Sequence, residues 1–162
     1  MNKLKGLKKI TKIINKFTQK NFGVTAMVGT EFLAYCDRKE INFAFVIPED
    51  DINYYLYDVA NRYPQIQADM FLWCLLHEVG HCMTDEIWSE EENTYFMNQK
   101  EEMLPFIEDD EMRNAWYHAI PDEYLATRWA ANYMIKHPKK VAKFWHELQE
   151  ELFKFYLKNN LA

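Results

Sequence analysis

Phe71-Leu72-Trp73-Cys74-Leu75-Leu76-His77-Glu78-Val79-Gly80-His81-Cys82 is the stretch on which the reading of the whole chain turns. Phe71, Leu72, Leu75, Leu76 and Val79 recur three and four residues apart, which predicts a helix over about 66–83 with one buried face. Inside it lies an HExxH pattern. Residues four apart share a helix face one turn apart, so His77 and His81 can reach a single ion. Glu78 is offset around the helix but adjacent, placed to take a proton from a metal-bound water and pass it to a leaving amine. The ion expected with this pattern is Zn2+, which lowers the pKa of its water from 15.7 to about 7. Gly80 allows another backbone to come close between the two histidines.

A catalytic zinc takes three protein ligands and keeps a fourth position for water. Thr84 and Ile87 stand where the longer motif HExxHxxGxxH requires Gly and His, so the third ligand comes from elsewhere. Asp85 continues the row of His77 and His81. Three ligands along about 12 Å of straight helix cannot converge on one ion, which makes Asp85 a helix-end or supporting carboxylate. His118 is a further candidate. Glu123 is the best placed, in the first turn of a helix that opens at Pro121, where unpaired N–H groups and the positive dipole end keep a carboxylate ionised. Asp122 is its nearby competitor. Tyr117, His118 and Tyr124 are candidates to stabilise an oxyanion near that ligand.

Working outward, Leu7, Ile10, Ile14 and Phe17 predict a basic amphipathic helix over 3–20, with a stop at Asn21 to Gly23. Phe22–Val28, Phe32–Cys36 and Ile41–Ile47 read as three short strands, and their short connections imply antiparallel neighbours. Tyr54–Tyr63 reads as a short helix. Residues 84–118 form an acidic insertion of short helices and loops. A helix runs through Tyr124–Ile135 as far as His137-Pro138, and a final one covers 138–158. Its apolar stripe, Val141, Phe144, Trp145, Leu148, Leu152, Phe155 and Tyr156, is expected in the core or at a dimer surface. The whole reads as one α+β domain over 1–162 with a small antiparallel sheet.

Charge is uneven. The 162 residues carry a net charge of −6, but seven lysines and no acid in the first 20 leave −13 for the remainder. Residues 84–123 alone hold 13 acids against Lys100 and Arg113. So acidic a body argues against nucleic acid as the main partner. The longest apolar run, Phe71 to Leu76, falls far short of the roughly 20 residues that cross a bilayer, so no membrane partner is expected. Cys36, Cys74 and Cys82 have no CxxC spacing and read as buried thiols in a reducing, cytoplasmic setting.

With these residues in view, the chain resembles the ImmA/IrrE group of zincin-like metallopeptidases. Those proteins pair an HExGH helix, here His77 to His81, with a downstream E-x-x-A-N-x-F-A helix, here Glu123 to Ala130. The resemblance implies a minimal zincin fold, His77, His81 and Glu123 as zinc ligands, and Glu78 as general base. It also implies that Ala126 and Ala130 let the second helix approach the first. Thr127 stands in place of the usual Asn and Trp129 in place of the usual Phe. Members of the group are common in bacteria, phages and mobile elements, where some cleave or regulate repressors; the implied partner is a protein or peptide substrate, a repressor among the candidates. The expected activity is zinc-dependent peptide hydrolysis. The competing expectation is a non-catalytic, zinc-stabilised module that binds a partner protein.

Overall fold

Ile10, Ile14 and Phe17 are buried by helix α1 (Leu7–Thr18), as their spacing requires. A computed structural model describes residues 4–27, 33–36, 40–44, 62–66 and 69–160. Helix α1 ends sooner than predicted. Gln19 takes a left-handed conformation at φ 54°, and the Asn15 side chain grips the chain beyond it. Asn15 Oδ1 accepts the Phe22 N–H at 2.8 Å and its Nδ2 donates to the Phe22 carbonyl at 3.1 Å. Gly23, expected at the helix stop, instead opens a strand.

The sheet comprises β1 (Gly23–Met27), β2 (Leu33–Tyr35) and β3 (Glu40–Ala44) in the order β1-β3-β2. It is mixed, which corrects the antiparallel expectation. β2 pairs antiparallel with β3, Ala34 opposite Ile41, whereas β1 pairs parallel with β3, Val24 alongside Ile41. Short connections do reverse the chain each time. They do not decide which strand ends up beside which. Residues 28–32 can span about 17 Å when extended, ample for the gap of about 9.6 Å into which a middle strand fits. β3 takes that middle place and, among the described residues, leaves β2 at an edge. Val28, Phe32, Phe45 to Ile47 and most of the predicted helix at 54–63 lie outside the described residues.

Helix α2 (Met70–Thr84) carries the HExxH pattern and starts later than predicted, at a cap where Asp69 accepts the Phe71 N–H at 2.9 Å. Every residue from Leu72 to Gly80 is buried. A helix buried all round is central, not one-faced. Its most extensive neighbour is α5 (Pro121–Lys136), and it also meets β2.

Between them the acidic segment is well formed. A 3-10 turn (Asp85–Ile87) leads to α3 (Glu90–Asn98), a π turn (Gln99–Met103), a 3-10 turn (Leu104–Phe106) and α4 (Asp110–Ala119). Ser89 and Glu92 cap α3 reciprocally, and Glu90, Glu91 and Glu92 crowd its first turn, where the helix dipole favours anions. Phe96, Leu104 and Ile120 make a small core of their own, flanked by Trp88 and Tyr117.

The last helix, α6 (Pro138–Lys158), buries Val141, Phe144, Leu148, Leu152 and Phe155. This stripe is core. It covers α1, with the rings of Phe17 and Phe144 stacked at 3.9 Å between centroids. The described residues thus form a mostly helical α+β arrangement, and no helix among them is long and apolar enough to cross a membrane.

Candidate metal centre

Two helices build the site. Gly80 of α2 lies directly against the Ala126 backbone of α5, and Ala126 and Ala130 are wholly buried. This close approach brings the first turn of α5 to the histidine face of α2. Glu123 Oε2 lies 2.9 Å from His77 Nε2 and 3.1 Å from His81 Nε2. The three donor atoms all fall within 4.8 Å of one another, a group that could hold a metal ion. Asp122, Asp85 and His118 are not part of it.

His77 is fixed from behind. Its Nδ1 is 3.1 Å from Thr127 Oγ1, one turn along α5 from Glu123. With an ion bound, Nδ1–H donating to that hydroxyl would leave the Nε2 lone pair for the metal, the arrangement that orients histidine ligands. Thr127, a departure from the resemblance pattern, therefore has a defined contact. His77 and Thr127 are fully buried, whereas His81 opens toward solvent on one side.

The charges around Glu123 are arranged as tightly. Burial works against its ionisation, but the His81 charge and hydrogen bonds from both imidazoles hold it well below the ordinary carboxylate range. Burial also works to lower His81, yet the charge and hydrogen bond of Glu123 raise it to about 9. On the other oxygen, Oε1 accepts from Lys100 Nζ at 2.6 Å. Lys100 donates at 2.7 Å to Asp122 Oδ2 as well, while Asp122 Oδ1 accepts the Glu123 N–H at 2.8 Å. Asp122 is thus a brace and not a rival donor.

Glu78 stands beside this group at the wall of an open cleft of about 530 Å³. Burial raises its pKa above the ordinary carboxylate value, although both imidazoles pull the other way. The cleft is also lined by the edge strand residues Leu33, Ala34 and Tyr35 and by Lys100. Asp85 and Tyr117 face it; His118 and Tyr124 are not among its lining residues. His118 is buried on α4 against the Tyr117 ring, and Tyr124 is exposed. Of the oxyanion candidates, then, Tyr117 alone reaches the cleft. Cys74 is buried as expected; Cys36 and Cys82 are half-buried, and none of the three forms a disulfide among the described residues.

The donor set suits zinc. Two imidazole nitrogens and one carboxylate oxygen are a known catalytic combination, and a tetrahedral ion about 2.0–2.1 Å from each donor sets neighbours about 3.3 Å apart. The two imidazole–carboxylate spacings, 2.9 and 3.1 Å, lie within a few tenths of an ångström of that value, and all three donors lie within 4.8 Å of one another. Compared with protein-family models, curated proteins and solved structures, the chain matches none of them.

Proposed function

We propose that this chain is a zinc-dependent metallopeptidase of the ImmA/IrrE-like zincin type, with His77, His81 and Glu123 as ligands and Glu78 as general base. The observation that carries the reading is the convergence of two imidazoles and a carboxylate beside a buried glutamate, on the wall of an open cleft. Zinc would supply an acidified water there and polarise the scissile carbonyl. Glu78, whose carboxyl pKa is raised by burial, would be the group placed to take a proton from such a water and return it to the departing amine. A purely structural ion has no use for such a neighbour, which favours the enzyme over a non-catalytic binding module.

The substrate is a protein or peptide, and a repressor is the candidate that the resemblance nominates. β2 is an edge strand, and its residues line the cleft, so an extended segment can pair along it backbone to backbone. Lys100 offsets only one of the two charges of Asp122 and Glu123, so with Glu78 and Asp85 the cleft wall stays acidic and favours basic segments, more so at low salt.

The test is digestion of a mixed peptide library by the zinc-loaded protein, with new N-termini read by mass spectrometry. Wild type should cut, and Glu78→Gln should keep its zinc and cut at background level. Equal cleavage by both, or none by either, would overturn the enzymatic reading.

A further inference from the structure

Lys100 belongs to the acidic segment yet makes its two closest contacts on α5. The π turn at Gln99–Met103 carries it, and such turns concentrate at functional sites. Among the described residues that line the cleft it is the one lysine or arginine. It meets Glu123 Oε1 at 2.6 Å and Asp122 Oδ2 at 2.7 Å, and its Nζ lies 5.9 Å from the centre of the Tyr117 ring. Two charge-assisted hydrogen bonds to neighbouring carboxylates tie the ammonium to the first turn of α5.

The consequence falls on the carboxylate. The final torsion of a glutamate is broad and two-fold, so an unrestrained carboxylate can turn and present either oxygen or both. Here Oε2 faces the two imidazoles while Oε1 is turned to Lys100. We infer that Lys100 is a positioning residue that confines Glu123 to one-oxygen contact with the metal and keeps a coordination position open. The inference rests on the zinc reading above. A second carboxylate oxygen on the ion would occupy the place that a substrate carbonyl must enter; the lysine excludes it by holding Oε1 with a charge-assisted hydrogen bond. The acidic segment thereby acts on the site through its lone cleft-facing cation.

Cobalt(II) bound at the same ligands gives the readout, because its visible absorption is several-fold more intense in four-coordinate than in five-coordinate sites. Wild type, Lys100→Met, Lys100→Gln and Lys100→Arg are titrated with Co2+, and its affinity is measured by competition with a chelator. Lys100→Met and Lys100→Gln should show the weaker bands of a higher coordination number and about tenfold or more loss of affinity, the range of supporting-contact losses. Lys100→Arg, which keeps a charged donor, should restore the intense bands. Wild-type spectra in Lys100→Met and Lys100→Gln would overturn the inference while leaving the zinc reading intact. A wild-type protein that takes up no Co2+ would overturn both.

Discussion

Gly80 and Ala126 meet backbone to backbone: a Cβ placed on residue 80 would lie 2.5 Å from the Ala126 carbonyl oxygen. Main chain cannot swing aside as a flexible side chain could, so any larger residue must part α2 from α5. Replacing glycine by alanine inside a helix ordinarily stabilises it by about 0.8–1.0 kcal/mol. Here the overlap should reverse the sign, with a net loss of about 1–3 kcal/mol in Gly80→Ala. Zinc affinity should fall with it, since His77, His81 and Glu123 sit astride the same contact. Urea unfolding and a chelator competition measure both. A more stable Gly80→Ala protein would show that the helices are not held this close.

Thr127 Oγ1 meets the candidate donor group at His77 Nδ1. Thr127→Val keeps the shape and removes the hydroxyl that meets His77 Nδ1 and sets the tautomer of the imidazole. Its zinc affinity should drop about 10–100-fold, and Thr127→Ser should recover most of it. A valine variant that binds as tightly as wild type would assign Thr127 to packing alone.

Periodicity explains most of what could be read in advance. Ile10, Ile14 and Phe17 on α1, and Val141 through Phe155 on α6, announce their buried faces because helical spacing repeats over several turns. The meeting of His77, His81 and Glu123 was legible too, since the two histidines share a helix face and Glu123 sits in a helix first turn. Lys100 was not. Its partners lie 22 and 23 residues away, and a lone lysine in an acidic run looks like an exposed counter-charge. The π turn that aims it leaves no compositional mark. Thr127 read only as a departure from a pattern, and the place of β3 between β1 and β2 depended on pairing that connection length does not specify.

The metal-free chain should show a distinct dependence on pH. His81 is raised from 6.5 to about 9 in the fold, so its contribution to stability is complete below about pH 6.5 and is lost as pH rises through 9. Glu123 is held well below 4.5, so its contribution is present above that value and is lost as pH falls through its depressed pKa. Thermal melts of chelator-treated protein should therefore fall between pH 7 and pH 10. Zinc-loaded protein should not share that loss, because the ion holds the neutral imidazole. Parallel curves with and without zinc over this range would contradict the assignment.

The central claim is the ligand set, and zinc content tests it most directly. Wild type, Glu123→Ala, Asp122→Ala and Asp85→Ala are purified alike and analysed for metal per chain. Wild type and Asp85→Ala should each retain one zinc. Asp122→Ala, which removes the brace on Lys100 and on the Glu123 N–H, should hold it less firmly. Glu123→Ala should be nearly empty. Equal zinc in all four proteins, or none in wild type, would contradict the account.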